Sequence, residues 1–149
     1  MISADAVKKL REETGASMME CKNALEQAQG DEPKALAILN ERGAQIAEKK
    51  SAREIKAGLI DAYIHANGKI GVLLELGCET DFVARNENFK ALAHDLCLQI
   101  SAMNPPDVTE FLAQPFIKDP AKTVQSLIHE LVAKLGENIK VGRFTRFEI

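Results

Sequence analysis

The apolar residues at the start of the chain recur three and four positions apart and predict three short helices between residues 3 and 43. Val7 and Leu10 mark one face of the first helix, and Gly15 is placed to end it. Ser17, followed three residues later by Glu20, is the capping-box pattern that begins a second helix. This part of the chain is therefore expected to form a helical unit.

The third helix has its own start and stop signals. Asp31 can cap it, Pro33 suits its first turn, and Gly43 is expected to stop it, as Gly30 is expected to close the second helix. A unit of about 40 residues has a marginal core of its own, so we expect its edges to rest on another part of the chain.

The second helix carries an apolar face and one methionine outside it. At the helical period, one face holds Met18, Cys21, Leu25 and Ala28. Met19 lies roughly opposite Cys21 and is expected to be exposed. A single exposed methionine is common, but methionine is also an adaptable contact residue, so both interpretations stay open.

A charged segment, residues 44–56, follows the three helices. It has few large apolar groups, and we interpret it as a partly helical linker with a solvated face. An arm that binds nucleic acid is less favoured, because acidic residues interrupt the basic ones.

Two stretches with alternating apolar residues, 59–65 and 69–78, predict a β-hairpin. Asn67 and Gly68 between them are typical of a two-residue turn. Ile60, Ala62 and Ile64 face one way on the first strand, and the alternating apolar residues of the second strand form a stripe expected to match them.

The remaining pattern predicts two more helices and one more strand. A long amphipathic helix runs from near Asn86 to the prolines at 105 and 106, residues 107–119 have little periodicity and resemble a loop, and another helix runs from about Pro120 to Gly136. Alternation over residues 139–148 predicts a third antiparallel strand. The predicted fold is α+β, with a three-helix domain at 1–43, the linker at 44–56 and a core domain at 57–149.

Composition narrows the function classes. The chain has 149 residues, of which 46% are hydrophobic and 28% are charged, and its net charge is −3. This composition fits a globular protein with no general attraction to nucleic acid, and no apolar run reaches the ~20 residues that cross a bilayer. The N-terminus lacks the long apolar segment of a secretory signal, so we expect a cytoplasmic protein without a membrane partner.

The sequence predicts no cofactor and no metal. The three cysteines, Cys21, Cys78 and Cys97, are odd in number and far apart, so we interpret them as small buried side chains in a reducing compartment. Neither glycine-rich phosphate-binding pattern is present, so the chain is not expected to bind nucleotide itself.

The segment from Thr80 to Glu87 is the strongest candidate for function, because it connects a strand to a helix and should lie at the surface. In one interpretation Phe82 folds back onto the following helix and Asp81 caps a turn. In the other, Asp81 and Phe82 project together into a pocket of a partner, since buried aromatic anchors dominate interface energetics.

This segment, with Phe89 after it, closely resembles the signature loop of the bacterial translation elongation factor Ts family, whose members exchange guanine nucleotide on elongation factor Tu. Further matches fall within residues 10–25, 114–119 and 136–148, so the resemblance covers nearly the whole chain. It implies that residues 1–43 are the family's ubiquitin-associated-like domain.

The resemblance also implies a set of contact residues for elongation factor Tu, in both its GDP-bound and nucleotide-free states. In the family, the phenylalanine matched by Phe82 enters the GTPase domain of the partner beside the aspartate matched by Asp81, and the magnesium and phosphate site is disturbed. The contact positions so implied are Arg11, Met18, Met19, Thr80, Asp81, Phe82, Val83, Leu135 and Gly136.

The chain departs from longer family members in having a single core copy and only residues 104–113 between the long helix and the segment that follows. Short members resemble it in this respect and are thought to act as homodimers. The missing half and the open edges of a three-stranded sheet therefore predict a homodimer.

Two other function classes remain possible from the residues. An enzyme would use Cys78 or the histidines at 65, 94 and 129, although their spacing does not support a catalytic site. A non-enzymatic adaptor would bind its partner through the N-terminal helices alone, and then Arg11 and Met19 would matter while Asp81 and Phe82 would not.

Overall fold

The computed structural model describes residues 1–149 and has the mixed α+β fold that the sequence predicts. Three helices come first, and a three-stranded antiparallel sheet packed with helices follows. The elements are α1 (Ala4–Thr14), α2 (Met18–Gln27), α3 (Glu32–Lys50), β1 (Ala57–Ile64), β2 (Ile70–Cys78), α4 (Asp81–Ala84), α5 (Glu87–Met103), α6 (Val108–Ala113), β3 (Pro115–Phe116), β4 (Asp119–Thr123), α7 (Val124–Leu135) and β5 (Lys140–Glu148).

The helix caps of the N-terminal unit are those that the sequence predicts. The Ser17 side chain accepts from the Glu20 amide and the Glu20 side chain accepts from the Ser17 amide, so the capping box of α2 is complete. Asp31 caps α3, and Gly15 ends α1 in the left-handed conformation. Met18, which the helical period places on the face of Cys21 and Leu25, lies on the first turn of α2 and is 60% exposed.

The sequence predicts that the third helix stops at Gly43, but α3 continues to Lys50. Gly43 is buried, and a β-carbon placed on it would lie 3.9 Å from the Ala133 Cβ of α7. The glycine thus lies where two helices pack together, and packing outweighs its low helix propensity. The limits of the domains stay a prediction.

The main sheet has the strand order β1-β2-β5, and all its pairs are antiparallel. Val72, Leu74 and Leu76 of β2 are buried, and they pair with Tyr63, Asp61 and Leu59 of β1. The helices α5 and α7 contribute to the same core, which is the larger of two. The smaller core lies among α1, α2 and α3.

Two details of the predicted hairpin were wrong. Ile60, Ala62 and Ile64 lie on the outer face of the sheet, because β1 is apolar on both faces and Leu59 and Tyr63 take the inner one. The connection is longer than two residues, since the His65 amide donates to the Ile70 carbonyl and leaves four residues, 66–69, in the turn.

The segment predicted as a loop contains regular structure. Asp107 caps α6, and Phe111 of this helix is fully buried, with its ring centroid 5.4 Å from that of Phe144. The β3–β4 pair follows, so α7 begins at Val124 behind the Thr123 cap and not near Pro120. Helices this short escape a periodicity test, although their caps can be seen in the sequence.

The helices of the structure have none of the long apolar spans that a membrane crossing requires.

Candidate functional site

The candidate site is built on α4, a single helical turn between β2 and α5. The Thr80 hydroxyl accepts from the Val83 amide and caps this turn. Val83 and Ala84 are buried in the larger core, whereas Phe82 points away from it and is 83% exposed. The two buried side chains therefore fix α4 to the core and leave the phenylalanine ring in solvent.

This geometry contradicts the first interpretation of the loop, whereas insertion into a partner stays a prediction. Phe82 does not fold back onto α5, and the residue that caps the turn is Thr80 and not Asp81. The exposed Asp81 carboxylate instead lies 2.7 Å from the Arg85 guanidinium, one helical turn away. A charged group and a large apolar ring thus project together from the surface.

Glu137, just beyond α7, holds the start of this loop. One of its carboxylate oxygens accepts from the Glu79 amide at 3.1 Å and from the Thr80 amide at 3.0 Å. The other oxygen accepts from the Thr80 hydroxyl at 2.7 Å. Hydrogen bonds to a charged acceptor are stronger than those between neutral groups, so this carboxylate fixes the backbone from which α4 begins.

A second set of bonds runs in the opposite direction. The Glu79 carboxylate accepts from the Asn138 amide at 2.6 Å and lies 3.7 Å from the Arg53 guanidinium. The buried Asn138 side chain donates to the Arg53 carbonyl at 2.8 Å. Reciprocal hydrogen bonds therefore join residues 79–80 to residues 137–138, and both pairs also contact the segment that follows α3. We call these reciprocal bonds the carboxylate clamp.

The C-terminal end of α7 places Leu135 and Gly136 beside the clamp. Gly136 adopts a left-handed conformation with φ of 78°, which glycine tolerates best, and it turns the chain toward Glu137. The Lys50 ammonium donates to the Gly136 carbonyl at 3.0 Å. These two predicted contact positions therefore connect directly to the loop that carries Asp81 and Phe82.

The predicted N-terminal contact positions lie near the same helix. Met18 and Met19, at 60% and 66%, are both well exposed on the first turn of α2. The turn before α2 reaches α7, because a β-carbon on Gly15 would lie 3.3 Å from the Lys134 Cδ. Arg11 and Lys134 line one cleft of about 320 Å³ between the N-terminal helices and α7. The last turn of α7 is thus flanked on one side by the turn that precedes Met18 and Met19, and on the other by the clamp.

The residues that form the clamp were missed as functional residues in the sequence. Glu79 lies more than fifty positions before Glu137 and Asn138, and the three residues show no periodic pattern. The one local signal was a polar pair, Glu137 and Asn138, directly after the glycine that ends a helix. Such a pair is common at helix ends, and only the fold reveals its partners.

The rival thiol site has little chemical support. Cys78 is buried, and its thiol donates to the Thr80 carbonyl at 3.2 Å. Burial, and after it the negative charge of Glu137, raises the pKa of this thiol above its ordinary value. Because the thiolate is the nucleophilic form, a raised pKa disfavours reactivity at neutral pH.

The histidines give the rival enzyme interpretation little support either. The chain holds no group of three or more His, Cys, Asp or Glu side chains that could bind a metal ion. Burial lowers the pKa of His129, and His65 shares a hydrogen bond of 3.0 Å with the Tyr63 hydroxyl.

Comparison with known proteins identifies the relatives of this chain. The family model described as elongation factor TS matches residues 79–149, which include the clamp, α4 and β5. Proteins named elongation factor Ts are 42% identical in Caldanaerobacter subterraneus, 44% in Thermotoga neapolitana and 46% in Thermodesulfovibrio yellowstonii. Each similarity covers 99% of this chain and 96%, 97% and 96% of the respective relative.

These relatives contain residues that this chain lacks. The alignment with the Caldanaerobacter protein extends over 193 positions, whereas this chain has 149 residues. The difference agrees with the prediction of a shortened chain, although the position of the missing residues stays a prediction.

We predict that Glu137→Ala loosens the loop. Removing an acceptor that is charged and partly buried should lower the free energy of unfolding by about 1–3 kcal/mol. Hydrogen exchange measured by NMR should show faster exchange at the Glu79 and Thr80 amides. Glu41→Ala, at an exposed position on α3, is the matched control and should leave both amides unchanged. Native exchange at Glu79 and Thr80 in the Glu137 variant would contradict the clamp.

Proposed function

This chain belongs to the elongation factor Ts family and is therefore a factor of translation elongation, and from that premise we propose that it binds elongation factor Tu and accelerates the release of GDP. It acts in the cytoplasm as a protein-binding exchange factor. It needs no cofactor, no nucleic acid and no membrane surface, because exchange alters the affinity of another protein for its nucleotide without covalent chemistry.

The observation that carries this proposal is the exposed Phe82 on a fixed turn. An aromatic ring that is 83% exposed is poorly placed for stability and well placed to enter a pocket of a partner. Thr80 as the cap, the buried Val83 and the carboxylate clamp all fix its backbone before binding. A pre-organised ring loses little conformational entropy on binding, so more of its burial energy remains available.

Asp81 gives the loop its effect on the nucleotide. Insertion of Phe82 brings the Asp81 carboxylate toward the magnesium and phosphate site of the partner, where a further negative charge opposes phosphate binding. By linkage, a factor that weakens GDP binding must itself bind less tightly when GDP is present. The chain therefore binds both the GDP-bound and the nucleotide-free partner, and it prefers the latter.

Arg11, Met18 and Met19 form a second contact with the same GTPase domain in this proposal. Two exposed thioether side chains adapt well to an apolar surface, and the arginine adds a planar charged group at its edge. Leu135 and Gly136, between this contact and the loop, complete the surface.

We predict that Phe82→Ala abolishes most of the exchange activity. Loss of a central aromatic anchor costs about 2 kcal/mol or more, which corresponds to at least a thirtyfold weaker effect. Release of fluorescent GDP from elongation factor Tu, followed over a range of factor concentrations, measures this loss. Circular dichroism should show an unchanged fold, because Phe82 is exposed and belongs to neither hydrophobic core.

Met103→Ala is the matched control. It removes another exposed apolar side chain, at the far end of α5, about 24 Å along the helix axis from the start of that helix, and the variant should accelerate GDP release as the native chain does. Undiminished acceleration by the Phe82 variant would contradict the proposal. If Met19→Ala abolished binding while Phe82→Ala and Asp81→Ala did not, the adaptor interpretation would replace it.

We also propose that two copies of the chain associate through the outer face of the main sheet. Ile60 and Ile64 of β1, Leu73 of β2 and Phe147 of β5 lie on this face and are 50–73% exposed. Glu75 and Arg143 pair on the same face. A contiguous apolar patch of this kind marks an interaction surface, and packing it against itself would give a closed two-fold dimer.

We predict that Leu73→Lys combined with Ile60→Lys converts the dimer to a monomer, because each charge would be buried against its symmetry mate or a neighbouring apolar side chain. Sedimentation equilibrium of the native and variant chains measures the change. Met103→Lys, which adds the same charge outside this face, should remain dimeric. A native chain that sediments only as a monomer would contradict the dimer.

A further inference from the structure

One helix belongs to both hydrophobic cores of the chain. The first half of α3 contributes Ala35 and Leu39 to the core of the N-terminal helices, and its second half contributes Ala47 to the core below the sheet. The helix is continuous over its 19 residues, or about 28 Å. The N-terminal unit is therefore joined to the rest of the chain by a shared helix and not by a flexible linker.

The close crossing of α3 and α7 requires a small residue at position 43, where the chain has glycine. A β-carbon on Gly43 would be 3.9 Å from both the Ala133 Cβ and the His129 carbonyl oxygen. A methyl group fits this space at ordinary van der Waals distance, but a branched side chain would meet the backbone and side chains of α7. Gly43 thus allows α7 to pack directly against the middle of α3.

The end of α3 is bonded to the clamp as well. Lys50 donates to the Gly136 carbonyl, and Asn138 donates to the carbonyls of Ser51 and Arg53 at 3.4 and 2.8 Å. The helix is therefore held at its middle by packing and at its end by hydrogen bonds. Both attachments lead to the segment that positions Phe82.

We propose that the methionines of α2 and the loop that carries Phe82 meet the partner as one rigid surface, with Gly43 as the residue that positions one relative to the other. This inference rests on the proposed function. It adds to that function, because two modules joined by a flexible tether could also contact one GTPase without a fixed spacing between them. In the rigid arrangement the spacing of the two contacts is set before binding, and no entropy is lost in ordering one module against the other.

A disulfide across the helix crossing tests the proposal. The distance of 3.9 Å between the β-carbon positions at 43 and 133 lies within the range of natural disulfides. Gly43→Cys combined with Ala133→Cys should therefore form a cross-link on oxidation, which mass spectrometry detects. The native cysteines, Cys21, Cys78 and Cys97, are buried and should not compete.

The oxidised double variant should accelerate GDP release as well as its reduced form does, because the cross-link only preserves the arrangement that acts. Loss of acceleration on oxidation, recovered by a reducing agent, would show that the N-terminal helices must move away from α7, and would overturn the proposal. Failure of the two cysteines to cross-link would overturn it too, since the helices would then not be packed as described.

Wedge variants give an independent test. Gly43→Ile should push the helices apart and raise the factor concentration for half-maximal acceleration about tenfold, because one of two contacts is misplaced. The maximal rate should remain, since Phe82 is untouched. Gly43→Ala should behave as the native chain. An unchanged half-maximal concentration for Gly43→Ile would contradict the positioning role. A native chain without exchange activity would instead refute the proposed function, and cross-link formation would then report on the helix packing alone.

Discussion

The exposed phenylalanine depends on one carboxylate. Glu137 accepts three hydrogen bonds from Glu79 and Thr80, and Thr80 in turn caps the single turn that presents Phe82. A helix of four residues has no stability of its own, because nucleation fixes several dihedral angles for each bond gained. The turn exists because Val83 and Ala84 are buried on one side and the carboxylate holds its start on the other.

The same region joins the parts of the chain. The end of α3, the end of α7 and the end of β2 meet there through hydrogen bonds between side chains and backbone groups. An exposed Phe82 gains nothing from the core, so its position must be maintained by other groups. The two apolar cores stabilise the fold, and the clamp fixes the position of the Phe82 ring.

Sequence patterns predicted what depends on neighbours along the chain. The caps at Ser17 and Asp31 and the alternation of β2 were confirmed because each follows from local geometry. The third strand was confirmed as well, but its predicted alternation was wrong, because a bulge opposite β2 lets Val141 and Phe144 pair with Leu76 and Leu74 on the same face. Long-range packing could not be predicted in this way. The stop assigned to Gly43 was wrong because α7 covers that position, and the face assigned to Ile60 was wrong because both faces of β1 are apolar. For the site, the loop could be found from its sequence and its resemblance to a known family, whereas the clamp unites residues far apart.

The most direct test of this account is a double-mutant cycle in GDP release, with Phe82→Ala, Glu137→Gln and both changes together. If Glu137 acts only by holding the ring in place, its replacement should slow exchange in the native chain and have no further effect once the ring is absent. The double variant should therefore match Phe82→Ala alone. Losses that add in free energy would contradict the account, because they would show that the carboxylate acts on the partner independently of Phe82.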